Sequence, residues 1–335
     1  MRQFRLAIVG CGAVSRLHAV AYARHSERVA VVATVDPIKE RAEQLASQFP
    51  QCRAAGSLSE AVGRSSWDIG VVCSPTPVRS EVVEELARSG KHVFVEKPLA
   101  DNLVDATHMV EACGSGGVQL AVHQNFRYHY PFDLARSLIG SGRIGPVTTV
   151  VHRDLMFRQD RGWRTSTKRH SLAVMGVHWL DGFRWMLMDE PVSVWCLLNS
   201  SPLIDTAGDT EAVVQATFGR GTTISYVQSF SCPISDVETI VIGEEGSLRL
   251  TYQELRESLV AGRAALEAST HPNACGLDKP EATFLALEEL LKAIDANGAP
   301  SNSGRDNLGT VKFLEAAYRS AEEGGPVPVA PELVR

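Results

Sequence analysis

The 335 residues contain no pattern of paired cysteines. Seven cysteines (Cys11, Cys52, Cys73, Cys113, Cys196, Cys232 and Cys275) are odd in number and widely separated, with no C-x-x-C and no Cys/His cluster at zinc spacing. That excludes a disulfide scaffold and argues against a zinc-dependent alcohol dehydrogenase. Reduced thiols in a cytosolic, metal-free protein are the expectation. Basic excess is also lacking: 33 Lys and Arg stand against 39 Asp and Glu, a net charge of −6, so nucleic acid is not an expected partner. No apolar run approaches the roughly 18 residues of a membrane helix, and no membrane association is expected. The opening MRQFRLAIVG enters a strand pattern at once, which is not how a signal peptide reads. No internal repeat or low-complexity segment is visible. What is present is globular composition, 44% apolar and 21% charged, in a length that predicts two domains.

The first 120 residues alternate short apolar runs with amphipathic stretches. Residues 6–10, 31–36, 69–73, 92–96 and 118–122 read as strands, rich in β-branched residues and apolar nearly throughout, as strands buried on both faces should be. Helical spacing fills 15–25, 37–48, 77–89 and 101–115, and Pro37 and Pro77 suit a first helical turn. Such alternation predicts an α/β, doubly wound parallel sheet with right-handed crossovers over 1–122.

After residue 123 the pattern changes. One long helical stretch covers 171–188. It is followed by alternating runs at 191–198, 210–218, 222–230, 237–243 and 247–250, then helices at 281–296 and 304–322. This predicts an α+β second domain over 123–325 with a mostly antiparallel, open-faced sheet, and a Pro-rich tail over 326–335. A face holding Trp195, Val213, Ile224, Tyr226 and Phe230 would be buried either in a homodimer or homotetramer or under helices of the same chain; oligomerisation is the expected outcome.

Gly10-Cys11-Gly12-Ala13-Val14-Ser15 lies between the first strand and the first helix. Glycines there allow a tight turn and let backbone amides approach a pyrophosphate, which the helix N-terminus stabilises. Ser15 replaces the third glycine of G-x-G-x-x-G with another small residue. Asp36, at the end of the second strand, is placed to accept the ribose hydroxyls and repel a 2′-phosphate, so NAD is expected over NADP, with Lys39 and Arg41 close enough in sequence to soften the preference. Asp36 beside Pro37 also suits a helix cap. Ser74-Pro75-Thr76 and Glu96-Lys97-Pro98 follow later strands, and ligands of doubly wound sheets bind outside the strands' carboxyl ends. Pro98 restricts the backbone of Lys97, aiming its side chain in one direction.

With these features the chain resembles the glucose–fructose oxidoreductase / inositol dehydrogenase / MocA (Gfo/Idh/MocA) oxidoreductases over nearly its whole length. The resemblance rests on the Gly10–Gly12 turn, His18, Asp36, Ser74-Pro75-Thr76, the block Gly90-Lys91-His92-Val93-Phe94-Val95-Glu96-Lys97-Pro98-Leu99, Asn125-x-Arg127 and Gly176-x-His178-x-x-Asp181. It implies a Rossmann domain holding the nicotinamide cofactor through Gly10, Gly12, Ala13, Val14, Asp36, Ser74, Pro75, Thr76, Glu96 and Lys97. It further implies a C-terminal domain for a sugar or polyol, with Lys97 on the reacting oxygen and His178 as acid–base. The chemistry suits both: an ammonium stabilises a developing alkoxide, and an imidazole titrates near neutral pH. The competing reading of His178 is a core histidine bonded to Asp181 on the same helical face.

Two positions depart from the family. Val174 stands where an aspartate is usual one turn before the histidine, which leaves His123, His170 or Asp181 as substitutes. Arg79 stands where a histidine is common, and no role is assigned to it. A basic run, Arg153, Arg158, Arg161, Arg164, Lys168 and Arg169, reads either as a solvated loop paired with acids or as a site for an acidic or phosphorylated substrate. Residues expected at the substrate are His123, Asn125, Arg127, Arg164 and Asp181. The expected function is NAD-dependent hydride transfer at a secondary alcohol or carbonyl of a sugar, cyclic polyol or sugar acid. The alternatives are NAD-retaining elimination or glycoside hydrolysis, and an inactive nucleotide-bound sensor.

Overall fold

The computed structural model describes residues 2–64, 66–129, 131–261, 264–266, 268–272 and 278–329; Cys275 and the tail beyond 329 lie outside them. The chain forms two compact units, one of Met1–Asn125 with Asp278–Val311 and one of Phe126–Leu277 with Lys312–Arg335.

In the first unit β1 (Phe4–Val9), α1 (Ala13–Arg24), β2 (Val29–Val35), α2 (Lys39–Ala46), β3 (Arg53–Ala55), α3 (Leu58–Arg64), β4 (Ile69–Val72), α4 (Arg79–Arg88), β5 (His92–Val95), α5 (Leu103–Ser115) and β6 (Leu120–Val122) follow in order. The sheet runs β3-β2-β1-β4-β5-β6, every pair parallel. It is the expected doubly wound sheet. All four residues of β4 are buried, which is why these strands read as unbroken apolar runs. The three-residue edge strand β3 and the short α3 carry too little periodicity to be read from sequence.

Strand order reverses between β1 and β4, and the crevice of such a sheet opens there. The unit is completed from far along the chain by α8 (Lys279–Asp295), whose Asp278 cap accepts the Glu281 N–H. Against the first helix, Arg28 donates to Glu288 and Asp295, and His25 stacks on Phe284 at 3.6 Å. Asn302 donates to the carbonyls of Val122 and Ala286. The expected division into consecutive blocks, 1–122 and 123–325, therefore differs from the observed grouping: 278–311 packs with the first block.

The second unit contains α6 (Phe132–Gly140), β7 (Val147–Phe157), α7 (Val177–Leu187), β8 (Pro191–Asn199), β9 (Glu211–Phe218), β10 (Thr223–Ser229), β11 (Ser231–Gly243), β12 (Gly246–Leu250), β13 (Glu254–Ala261), β14 (Ala264–Ala265), β15 (Ser269–Pro272) and β16 (Val327–Pro328). The last helix, α9 (Gly304–Glu323), begins in the first unit and ends in this one. The ten-stranded sheet runs β14-β13-β12-β11-β7-β10-β9-β8-β16, with β15 on β13. It is mostly antiparallel, and β7 pairs parallel with β10.

β7 sits mid-sheet yet gives no clear apolar alternation, because two of its buried positions are His152 and Asp154. The proposed exposed face also needs correction. Trp195 and Val213 are exposed, at 42% and 38%, but Ile224, Tyr226 and Phe230 are buried. Ile224 and Tyr226 pair with Ala216 and Val214 on the covered side, whereas Val227, opposite Val213, and Leu197, opposite the same residue, share the exposed side with Trp195. Side chains alternate with period two, so a wrong parity on one strand moves its whole set across the sheet. Among the described residues no helix is long and apolar enough to cross a membrane.

Candidate active site

The first turn is built by the residues expected of it. Gly10 has φ +93°, and a Cβ there would lie 2.8 Å from Cys73 C and Ser74 N. Only glycine lets β1 leave this close to the exit of β4. Gly12 opens α1 without a side-chain cap, and a Cβ on it would meet nothing within 4 Å, which leaves the helix N-terminus open to an anion. The Ser15 hydroxyl donates to the Gly12 carbonyl at 2.7 Å, so the serine in the third glycine position bonds back into its own turn.

Asp36 accepts the Cys11 N–H through one oxygen and the Ile38 N–H through the other, both at 2.8 Å. The cap of α2 is Ile38 rather than Asp36. The carboxylate therefore closes a local turn and fastens the glycine loop to β2. Burial, with Asp36 next, pushes the Cys11 thiol up to about 12, which makes it an inert packing group.

At the exit of β4, Thr76 donates to Asp101 at 2.6 Å, Pro75 is extended, and the buried Ser74 hydroxyl has no partner among the described residues. At the exit of β5 the Glu96 side chain turns inward. One of its oxygens accepts from His18 and from His123, each at 2.7 Å. The other accepts the Lys97 N–H at 3.2 Å. Burial works to raise the Glu96 carboxyl, and the two imidazoles overcome it, holding it well below the usual carboxylate range. His18 also meets the Tyr22 hydroxyl at 2.8 Å, and His123 the Thr283 hydroxyl at 3.1 Å. The donor atoms of His18, Glu96 and His123 lie within 4.8 Å of one another, a set with metal-ligand chemistry, but both ring nitrogens converge on a single oxygen at hydrogen-bond distance, as proton donors do. His123, expected at the substrate, is buried in this network. Asn125 is buried at the end of the same segment. Lys97 follows directly, half-buried, with a cis peptide to Pro98.

Gly10, Gly12, Asp36 and Ser74 thus gather at the carboxyl edge of the sheet, beside its switch point. An uncapped helix N-terminus, an open glycine and an orphaned buried hydroxyl fit a dinucleotide.

In the second unit His178 lies on α7, buried and stacked on Phe126 at 4.1 Å and 12°. Arg127 grips Asp181 with two bonds, from Nε at 2.7 Å and from a terminal nitrogen at 2.6 Å, both side chains 1% exposed. These two expected substrate contacts are thus bound to each other. Val174 sits in a π-helical turn (Leu172–Gly176) and packs with Ile204 and Phe230, so apolar contacts fill the place of the family aspartate. Buried His170 contacts Asp160 at 3.2 Å, and His170 and Arg158 hold Asp160 down to about 2 against burial.

Sequence reasoning missed Asp209. Its carboxylate accepts from the His170 N–H, the Ser171 hydroxyl, the Leu172 N–H and the Tyr318 hydroxyl at 2.8, 2.8, 2.9 and 3.0 Å, so it anchors the entrance of the helix that carries His178. No local signal marks it, since every donor is distant in sequence. Of the basic run, Arg153 pairs with Asp236 and Glu238 and Arg158 with Asp160. Arg164 lies over Trp163 at 5.5 Å and Arg169 over Tyr318 at 4.8 Å.

A parallel sheet with a glycine turn at its switch point and a carboxylate ending its second strand defines a dinucleotide-binding protein. The chain belongs to the GFO/IDH/MocA oxidoreductase family: residues 4–124 match its NAD-binding Rossmann fold and residues 132–249 its C-terminal domain. It is an NAD-binding oxidoreductase. A D-apiose dehydrogenase of Paraburkholderia graminis is 28% identical, covering 98% of this chain and 90% of that one. An inositol 2-dehydrogenase of Cereibacter sphaeroides is 30% identical over 73% of each. Among solved structures, the aldose-aldose oxidoreductase of Caulobacter crescentus, complexed with glycerol, superposes with a TM-score of 0.84 at 25% identity, covering 98% of this chain and all of that one.

Proposed function

We propose that this protein is an NAD-preferring dehydrogenase that moves a hydride between nicotinamide and a secondary alcohol or carbonyl of a sugar, cyclic polyol or sugar acid. The observation that carries the proposal is the placement of Lys97. It stands two residues beyond β5, at the sheet edge that also holds Gly10, Gly12, Asp36 and Ser74. The names of the apiose and inositol relatives support the substrate class.

When bound, NAD supplies the hydride acceptor. Asp36 favours it by accepting ribose hydroxyls and repelling a 2′-phosphate. The Lys97 ammonium hydrogen-bonds the reacting oxygen and stabilises the alkoxide as it forms. The His178 imidazole takes the proton in oxidation and returns it in reduction. With an apolar residue at Val174, proton handling falls to these two groups. The exposed Trp195, Leu197, Val213 and Val227 support a homo-oligomer joined through the second sheet, and the six cysteines among the described residues, all free, support a reducing, cytoplasmic setting.

The test is NADH appearance with a panel of aldoses, inositols, sugar acids and sugar phosphates, run with NAD and NADP in parallel. Lys97→Ala is expected to slow the reaction about 100- to 1,000-fold, leaving a residual rate, and His178→Ala to lose the pH dependence until small bases are added. A substrate oxidised equally well by Lys97→Ala would overturn the assignment. Val174 favours a second reading, a nucleotide-bound sensor that has lost catalysis. Purified protein would then retain NAD but give neither NADH nor a converted product from the panel, and mass analysis of the products separates the two.

A further inference from the structure

The geometry assigns Arg79 a positioning role: its guanidinium locks the main chain on both sides of Lys97 and joins that turn to the exit of β4. This rests on the role given to Lys97 above. Arg79 opens α4 and is 4% exposed. One terminal nitrogen donates to the Glu96 carbonyl at 2.7 Å and to the Pro98 carbonyl. The other donates to the Ser74 carbonyl at 2.8 Å. Glu96 and Pro98 are the two neighbours of Lys97.

The three carbonyls lie where the sheet stops providing donors. The last ladder bonds in this region run from Cys73 N to Val9 O and from Glu96 N to Val72 O, and Ser74, Glu96 and Pro98 come at or after that limit. A buried carbonyl left without a donor is costly. The planar fork of a guanidinium can serve several acceptors at fixed angles, which a single ammonium cannot. The Lys97 N–H is meanwhile held by the Glu96 carboxylate at 3.2 Å, itself fixed by His18 and His123. The backbone is thus tied at the amide of Lys97 and at the carbonyls before and after it. An error of about 1 Å at a reacting group can cost on the order of 100-fold in rate, so the clamp acts on hydride transfer through Lys97. Arg79 itself need touch neither cofactor nor substrate.

A double-mutant cycle tests this on the full-length protein with NAD and whichever panel substrate it oxidises. Arg79→Ala, Lys97→Ala and the double variant are compared by thermal melting, NADH fluorescence titration and single-turnover hydride transfer. Arg79→Ala is expected to bind NADH within about threefold of wild type and to transfer hydride about 10- to 100-fold more slowly. In the Lys97→Ala background the same change should slow transfer less than about twofold, because the group being positioned is gone. Should Arg79→Ala fail to fold, Arg79→Lys runs through the same cycle, with the same non-additivity expected. Equal slowing in both backgrounds, or wild-type transfer in the single Arg79 variant, would overturn the role. A wild-type rate in Lys97→Ala alone would instead overturn the Lys97 assignment and this role with it, a result distinguishable from failure of the clamp.

Discussion

The Asp36 carboxylate accepts the backbone N–H of Cys11 at 2.8 Å, tying the carboxylate proposed to select the cofactor to the glycine turn. Asp36→Asn keeps an acceptor for the turn and removes the charge, so it should keep the fold and admit NADP. Asp36→Ala also releases the Cys11 and Ile38 amides, and NAD affinity should fall about 10- to 100-fold, the cost of bonds to a charged acceptor. Fluorescence titration of both variants with NADH and NADPH checks this. Unchanged discrimination in Asp36→Asn would remove Asp36 as the selector.

Arg127 and Asp181 are buried and joined by two bonds. Arg127→Ala should destabilise the protein by about 3–5 kcal/mol, since the buried Asp181 carboxylate would lose both of these bonds, and Arg184 lies farther off, at 3.8 Å. Arg127→Met with Asp181→Leu should cost less than the sum of the single changes. Denaturant melts of the three variants measure this, and additive losses would show that the pair is not a unit.

Asp154 on β7 is buried, with one oxygen accepting from Trp179 Nε1 at 2.6 Å. Burial raises its carboxyl from 3.8 to about 6, against the Trp179 bond and Arg158. The unfolded chain loses this proton near pH 4 and the folded chain near pH 6, so between those values the folded state binds more protons and stability falls as pH rises. That difference corresponds to about 3 kcal/mol, present below pH 4 and lost by pH 7. Asp154→Asn should flatten the stability profile between pH 4 and 7 while keeping the Trp179 bond. A profile as steep as wild type would assign the slope elsewhere.

Asp209 gathers four donors at the entrance of the His178 helix. Asp209→Ala leaves the His170 and Leu172 amides buried without that acceptor, and a loss of about 3–5 kcal/mol is expected. Hydrogen exchange at 170–177 should quicken more than in the first unit. Uniform quickening would indicate global loosening rather than release of this helix.

The strands of the first unit were legible because burial on both faces writes an apolar run into each one, and the glycine turn because only glycine tolerates its φ and its approach to Cys73. The segment around Lys97 was legible as a motif. β7 was hidden because it points His152 and Asp154 into the interior, and the exposed face of the second sheet was misassigned because parity along one strand does not fix its register with the next. Local sequence determined which segments would bury an apolar side and where the chain would turn. Only tertiary structure decided that α8 completes the first unit, that Arg127 binds Asp181, that Asp209 reaches back to the helix entrance, and that Arg79 holds the carbonyls around Lys97. The physical reason is that burial leaves a periodic trace in neighbouring residues, whereas a buried polar group takes its partner from whichever part of the chain folding brings within about 3 Å.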